Sequence, residues 1–227
     1  MGRSTDASNW ENTKQGLFVI LPCLIVGSYV RLVQVLTINF PLNDGGLFHS
    51  IIGDLGASNQ FLPAFITYNH EQIPFAYPPL AFYVTRFINE VFGASVNDVI
   101  RLGPAVISVF SIPVFYLVET TYLETRLEAL GALAAYVFLP TTFDWLIVGG
   151  GLSRSPAWLF SLGALYYCGQ LFRNQKMRDL LLTALLAALT VLTHPGVAWF
   201  TFYSLGVLFI FRGRKKKKSL FQISGVV

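Results

Sequence analysis

Residues 16–38 read GLFVILPCLIVGSYVRLVQVLTI, an apolar run in which Arg31 is the one charged side chain. A helix needs about 20 consecutive apolar residues to cross the hydrocarbon core of a bilayer, so this run is long enough to span it. A secretory signal peptide is the alternative, but its apolar region is usually about 7–15 residues long and precedes a small-residue cleavage site. This run ends instead at Asn39-Phe40-Pro41. We therefore predict an uncleaved first transmembrane helix.

The composition of the whole chain is typical of a membrane protein. Hydrophobic residues make up 54% of the sequence and charged residues 12%, with a mean hydropathy of +0.57, whereas soluble domains are about 45–50% apolar and 25% charged. Cys23 and Cys168 both lie in apolar runs, which excludes a disulfide framework or a cysteine metal site. Nucleic-acid binding is not expected, because much of the net charge of +4 comes from residues 212–218 and no basic face accompanies that cluster.

Further apolar runs decide the topology. They lie at about residues 80–92, 102–118, 129–140, 156–172, 180–192 and 196–211. If every run crossed the membrane and the amino terminus lay inside, the basic stretches 173–178 and 212–218 would both lie outside, against the positive-inside rule. The run 80–92 is the weakest candidate, because it is short and Arg86 and Glu90 interrupt it. We assign it to an interfacial helix outside the membrane, which leaves both basic stretches inside.

These assignments predict an all-α fold, a polytopic membrane helix bundle with about six transmembrane helices and interfacial helices in the first external loop. The expected segments are a cytoplasmic tail (1–15), the first transmembrane helix (16–39), an external loop (40–98), the transmembrane bundle (99–211) and a basic cytoplasmic tail (212–227). The protein is thus expected to be multi-pass with a cytoplasmic amino terminus. The expected location is the plasma membrane of a prokaryote.

The external side is identified by its lack of basic residues. No Lys or Arg occurs in residues 39–79, which by the positive-inside rule places this stretch outside. Residues 46–55 have the pattern of a short amphipathic helix, and the prolines of residues 61–79 favour an extended segment along the membrane face. A second external turn contains Gly149-Gly150-Gly151, and Ser155-Pro156 after it predicts a helix start with a serine N-cap.

Asp44 is the acidic residue in Pro41-Leu42-Asn43-Asp44-Gly45-Gly46, just beyond the first span. Glycines let the backbone approach a ligand closely, and a carboxylate can act as a general base. Asp is also a preferred helix N-cap, so Asp44 could instead cap the helix predicted at 46–55. The residues by themselves leave both interpretations open.

The order of these features resembles a known family. The order is a single span, the Asp44-Gly45-Gly46 loop, an amphipathic helix, Tyr77-Pro78-Pro79-Leu80, Arg101 opening a span, and Ser153-Arg154 preceding another. Residues 15–211 are similar to the amino-terminal half of the GT-C superfamily of polyprenyl-phosphate-sugar-dependent glycosyltransferases. The likeness is greatest to the family 39 protein mannosyltransferases and aminoarabinose transferases.

The resemblance implies a function and a catalytic residue. It implies transfer of a sugar, with inversion, from a polyprenyl- or dolichyl-phosphate donor to a hydroxyl acceptor of a protein or glycan on the outer face, with Asp44 as the catalytic base. Membrane lipid is the other expected partner. The family commonly has a second acidic residue where this chain has Gly45, and a Lys or His where it has Tyr77. No metal or other cofactor is therefore expected, although a divalent metal is left open.

Polar side chains of the outer side are the candidates for substrate binding. They are Arg31, His70, Glu71, Tyr77, Arg86, Arg101, Arg154 and His194. An intramembrane arginine is costly enough to suggest a function, yet Arg31 could snorkel to the headgroups, and Arg101 could anchor a lipid phosphate. Arg154 could form an ion pair with Asp144, and His194 could be the polar tip of a helical hairpin. The histidines give no metal-binding spacing.

A non-catalytic membrane protein of the same fold is the alternative function. In that case the outer arginines would bind a lipid headgroup for binding or transport, and Asp44 would only cap a helix. Members of the resembling family are generally longer, so this alternative includes a truncated relative that keeps the fold without turnover.

Overall fold

A computed structural model of the 227-residue chain describes residues 4–39, 43–148 and 151–213. The helices are α1 (Ser4–Thr37), α2 (Gly45–Ala57), α3 (Leu80–Phe92), α4 (Val96–Tyr122), α5 (Arg126–Phe138), α6 (Asp144–Ile147), α7 (Gly151–Asn174), α8 (Met177–Val191) and α9 (Pro195–Gly213). Between α2 and α3, the strands β1 (Phe65–Ile66) and β2 (Ile73–Pro74) pair antiparallel. Short 3₁₀ turns lie at Tyr68–His70 and Pro140–Thr142. The predicted all-α helix bundle is confirmed.

Three of the described helices are long and apolar enough to cross a membrane. The qualifying stretches are Ile20–Thr37, Val96–Tyr122 and Pro195–Arg212. Helix α5 has 13 residues and α8 has 15, and at about 1.5 Å per residue both fall short of a hydrocarbon core about 30 Å thick. The predicted total of about six spans requires α5, α7 and α8 to cross the membrane as well, and this stays a prediction.

Helix α7 is the centre of the bundle and packs against α4, α8 and α9, while α1 packs against α4 and α5. Small side chains allow this close packing, as is usual between membrane helices. At Gly169 a Cβ atom would lie 2.3 Å from the Thr121 methyl carbon. Glycine is thus needed at this position for α4 to approach α7.

The bundle has two chemically different ends. At one end Arg173 donates to the carbonyl of Thr121, and the Arg212 guanidinium lies 4.8 Å from the centre of the Tyr122 ring. We call this the basic end. The carboxyl-terminal ends of α4, α7 and α9 meet there, so the two arginines of the predicted basic stretches share one side of the bundle. The lysines of residues 215–218 lie outside the described residues.

The opposite end, which we call the loop-side end, is covered by α2 and α3. Helix α3 has the bounds predicted for the interfacial helix, and α2 contains the amphipathic helix predicted at 46–55. Their shared core includes Phe48, Ile51 and Phe82, and it reaches Ile100 of α4 and Leu152 of α7. The predicted extended segment contains the β1–β2 hairpin, which Asp54 ties to α2. The loop predicted to be external is therefore a packed layer joined to the bundle.

The predicted start of α7 is wrong. Ser155 and Pro156 lie inside the helix, which begins at Gly151. The Ser155 hydroxyl donates back to the Gly151 carbonyl (2.8 Å) and caps no helix start. A Cβ atom on residue 151 would lie 2.0 Å from the Leu146 carbonyl oxygen. Glycine is needed at position 151 because a side chain there would prevent α6 and α7 from approaching this closely.

Candidate active site

Asp44 lies at the loop-side end, directly before α2. Its backbone carbonyl accepts a hydrogen bond from the Phe48 amide (3.0 Å), but its side chain makes no capping hydrogen bond. Its side chain is exposed. Asp44 therefore occupies the N-cap position of α2, as the alternative predicted, but its carboxylate makes no capping hydrogen bond and is accessible.

Tyr77 connects Asp44 with the bundle. Its ring packs edge-on against Phe48 of α2 (5.2 Å between centroids) and Phe82 of α3 (6.1 Å). Burial raises the pKa of the Tyr77 phenol, the Asp44 charge raises it further, and the charge of Arg154 lowers it. The phenol therefore lies within electrostatic range of both Asp44 and Arg154, which come from distant parts of the sequence.

Arg154 lies near the start of α7 and is half-buried. Its Nη1 donates to the Trp145 carbonyl (3.2 Å), and the guanidinium lies 5.4 Å from the centre of the Trp145 indole. The ion pair with Asp144 considered as an alternative is not formed, because Arg154 bonds to the neighbouring carbonyl. Helix α6 thus holds the guanidinium in place without neutralising it.

His194 lies at the tip between α8 and α9, as predicted, and caps α9. Its Nδ1 accepts the Val197 amide (3.2 Å), and its carbonyl accepts the Ala198 amide (3.0 Å). Burial lowers the pKa of the imidazole, and the charge of Arg154 lowers it further. A neutral imidazole with its proton on Nε2 satisfies this hydrogen bond. His194 therefore lies within electrostatic range of Arg154, and we group it with Asp44, Tyr77 and Arg154 as one cluster.

An apolar cavity of about 630 Å³ opens beside this cluster. Arg154 is its charged lining residue, and the aromatic rings of Tyr136, Trp145 and Trp158 form much of its wall. A chamber with one cation and otherwise mainly apolar walls fits a ligand with an anionic head and an apolar tail. A second groove of about 550 Å³, between the start of α3 and α9, has an apolar lining that includes Pro78, Trp199 and Phe202.

Three predicted arginines form structural contacts away from this cluster. Arg31 is 0% exposed inside the bundle, so the alternative in which it snorkels to the headgroups is wrong, and its predicted substrate binding stays untested. Arg101 donates to the Ile38 carbonyl and pairs with Asp98 (2.9 Å), which ties α4 to the end of α1. Arg86 pairs with Glu90 (2.8 Å) on the polar face of α3.

The remaining candidates, His70 and Glu71, lie exposed at the turn between β1 and β2. Within the described part of the chain, neither shares a hydrogen bond or ion pair with Asp44, Tyr77, Arg154 or His194. Across residues 4–39, 43–148 and 151–213, no group of three or more His, Cys, Asp or Glu side chains could hold a metal ion.

Sequence reasoning missed the aromatic residues of the cavity. Trp158 donates through Nε1 to the Tyr136 hydroxyl (2.9 Å), and Trp145 lies under the Arg154 guanidinium. Trp145 lies close in sequence to the predicted external turn, and this position could have indicated a role at the site. Tyr136 and Trp158 lie within apolar runs, where an aromatic residue is expected to face lipid.

The fold and the cluster together define a class of protein. The chain is an all-α membrane helix bundle whose loop-side end carries an accessible carboxylate and a cation beside an apolar cavity, as expected of a GT-C-type glycosyltransferase. The family model for dolichyl-phosphate-mannose-protein mannosyltransferases matches residues 76–227, and the chain belongs to this family. It is therefore an integral membrane glycosyltransferase of the mannosyltransferase type.

The matched region begins directly before Tyr77 and contains Arg154 and His194, whereas Asp44 precedes it. No curated protein and no solved structure matches the chain significantly.

Proposed function

We propose that this protein transfers a sugar from a polyprenyl-phosphate donor to a hydroxyl group of a protein or glycan, with Asp44 as general base. The observation that carries the proposal is that Asp44 and Arg154 both lie within electrostatic range of Tyr77, while Arg154 also lines the apolar cavity. These residues come from three separate segments. Membership of the dolichyl-phosphate-mannose-protein mannosyltransferase family supports a lipid-phosphate sugar as donor and a protein as acceptor.

The reaction needs a base and a stabilised leaving group. The acceptor oxygen attacks the anomeric carbon, and the bond between that carbon and the phosphate oxygen breaks with its electron pair leaving on the phosphate. The acceptor proton passes to the Asp44 carboxylate, which is exposed and makes no helix cap. Attack opposite the departing phosphate inverts the anomeric configuration.

Arg154 is suited to hold the departing phosphate. Its guanidinium keeps its charge at every physiological pH and can donate two parallel hydrogen bonds to phosphate oxygens. The Trp145 carbonyl and indole fix its position. A fixed positive charge interacts most strongly where water is excluded. The cation therefore stabilises the negative charge that develops on the leaving phosphate. The apolar cavity would take the isoprenoid chain next to that phosphate.

The loop-side layer also presents a surface suited to a membrane interface. Val84, Phe87 and Val91 are exposed and follow one another at helical spacing along α3. Arg86 and Glu90 lie on a different face. This pattern supports α3 lying in the headgroup region of the membrane. The positive-inside rule supports the outer side for this helix and the inner side for the amino terminus, and we propose the plasma membrane of a prokaryote as the location.

Cysteine labelling tests this orientation, because Cys23 and Cys168 are buried and Gln72 and Lys176 are exposed. In intact cells, an impermeant maleimide should label Gln72→Cys. Lys176→Cys should react only after permeabilisation. The reverse labelling pattern would show that the protein has the opposite orientation in the membrane.

A lipid-binding protein without turnover is the second candidate, since the same cavity and Arg154 would hold a lipid phosphate. Purified full-length protein in nanodiscs separates the two functions when it receives dolichyl-phosphate [³H]mannose and serine- and threonine-containing peptides or glycan acceptors. Label transferred to an acceptor supports the enzyme. Donor binding without transfer to any acceptor supports the second candidate, and absence of binding rejects both.

A further inference from the structure

Arg31 is a buried cation that pairs with no carboxylate of residues 4–39, 43–148 or 151–213. Its Nε donates to Ser108 Oγ (3.1 Å), and its Nη atoms donate to the carbonyls of Gly27 (3.2 Å), Tyr136 (3.2 Å) and Val137 (3.4 Å). The ion pairs among the described residues join Arg86 to Glu90, Arg101 to Asp98 and Arg178 to Asp179. A buried arginine is usually paired with an acid, so the position of Arg31 needs another explanation.

The end of α5 provides part of that explanation. Tyr136 and Val137 lie in the last turn of α5, where carbonyls have no intrahelical partner and carry the negative end of the helix dipole. The guanidinium also lies 4.5 Å from the centre of the Phe143 ring and 5.5 Å from that of Tyr136. These dipoles and rings satisfy the donors of Arg31, but only part of its full positive charge is balanced.

The same turn of α5 is a wall of the cavity. Tyr136, Leu139 and Thr142 line the cavity, and the Thr142 hydroxyl donates to the Tyr136 carbonyl that Arg31 also contacts. Trp158, another lining residue, donates to the Tyr136 hydroxyl. Arg31 therefore lies behind the part of the cavity wall that Tyr136 and the stacked Phe115 form.

We propose that Arg31 is a positioning residue that makes the cavity select an anionic lipid without touching it. The inference rests on the proposed function, because it assumes that the cavity holds the donor phosphate. A guanidinium cannot lose its proton in the protein, so its charge acts on the cavity permanently. Phe115 stacks on the Tyr136 ring (4.1 Å between centroids), so a phosphate in the cavity lies beyond this second ring. At a separation of about 12 Å from the guanidinium, an effective dielectric constant of about 20 gives a roughly tenfold effect on affinity.

The test compares two lipids that differ only in charge. Full-length protein in nanodiscs is titrated with a polyprenyl phosphate and with the uncharged polyprenol of the same chain length. We expect Arg31→Gln to weaken phosphate binding about tenfold and to leave polyprenol binding unchanged. Equal weakening of both lipids would show that Arg31 only supports the fold, and unchanged binding of both would also overturn the proposal.

A matched control removes a charge from the far end of the same helix. Arg126 is the first residue of α5, about 17 Å along the helix from Val137. Arg126→Gln should change neither affinity. A lost phosphate preference in Arg126→Gln would assign the effect to net charge and overturn the role of Arg31.

A second variant neutralises Arg31 without removing it. In Ser108→Asp, the new carboxylate replaces the hydroxyl that accepts from Arg31 Nε, and a buried ion pair forms. This variant should weaken phosphate binding by about as much as Arg31→Gln and leave polyprenol binding unchanged, whereas the uncharged Ser108→Asn should keep the wild-type affinities. If Arg31→Gln does not fold, Ser108→Asp decides the question. No phosphate preference in the wild type rejects the proposed function itself, while a preference that both variants leave undiminished rejects only the role of Arg31.

Discussion

The arginines at the two ends of the bundle lie at opposite ends of their helices and so interact differently with the helix dipole. At the basic end, Arg173 and Arg212 lie in the last turns of α7 and α9, where the helix dipole favours a cation. At the loop-side end, Arg154 lies near the first turn of α7, where the dipole opposes one. A cation held against its local electrostatics, beside a cavity, is explained if an anion binds next to it. Arg173 and Arg212 thus stabilise the carboxyl-terminal ends of their helices, whereas the position of Arg154 suits the binding of an anion.

Among the tests of this comparison, substitution of Asp44 has the largest expected effect on the transfer rate. Asp44→Asn should lower the transfer rate by about 10²–10⁴-fold with near-normal donor binding, because the amide cannot accept a proton at neutral pH. Stability should not change, since the carboxylate makes no cap. The measurement is transfer of labelled sugar together with lipid binding.

Asp54→Asn is the matched control, because that carboxylate accepts from the Thr67 amide and hydroxyl. It should cost stability while transfer persists in the folded fraction. Undiminished transfer by Asp44→Asn would show that Asp44 is not the base, and Glu71 and Asp54 would be the next candidates for that role.

Arg154 gives the next largest effect. Arg154→Gln should weaken donor binding by about 10–100-fold, which corresponds to the loss of about 1.4–2.8 kcal/mol from a charged hydrogen bond. Arg173→Gln at the basic end should leave donor binding unchanged and cost about 1 kcal/mol of stability, because a bond to the Thr121 carbonyl is lost. Equal losses of donor affinity in the two variants would contradict the distinction between the ends.

Gly151 tests whether the start of α7 positions Arg154. Gly151→Ala should destabilise the protein by about 2–3 kcal/mol, because the new methyl group would overlap the Leu146 carbonyl and displace the turn. Donor affinity should fall with it. Gly131→Ala in α5 meets no atom within 4 Å, so it should stabilise by about 0.5–1 kcal/mol. Thermal unfolding in detergent measures both variants, and a neutral Gly151→Ala would refute the close approach.

His194 gives the smallest effect, a pH dependence of stability. Its pKa in the folded protein is lowered by burial and by Arg154, so the unfolded chain binds the proton more tightly. The contribution is fully present above the unfolded pKa of about 6.5 and is lost as the pH falls through the lower folded pKa. His194→Asn keeps a capping side chain and removes the titration.

We therefore expect wild-type unfolding midpoints to fall more steeply than those of His194→Asn as the pH is lowered from 7.5 to 5. Parallel curves for the two proteins would exclude His194 as the titrating group.

Local signals in the sequence predicted the two loop-side helices well. Pro78 and Pro79 mark the start of α3, and Gly93, with a φ of 67°, ends it. The start of α7 was mispredicted, because Ser155-Pro156 is a local signal and the contact between Gly151 and the Leu146 carbonyl is not. The cluster of Asp44, Tyr77, Arg154 and His194 was proposed member by member, but their proximity depends on how α2, α3, α7 and α9 pack.

The sequence by itself determined the solvent of this protein, its helical class and its family resemblance, because hydropathy and residue order are properties of the chain. Only the tertiary structure decided which arginine has which role. Arg31 meets the Tyr136 carbonyl across 105 residues of sequence, while Arg154 remains at the edge of the cavity. The cost of placing a charge in a membrane bundle depends on the dipoles and carbonyls that surround it. Those groups come together only when the helices pack.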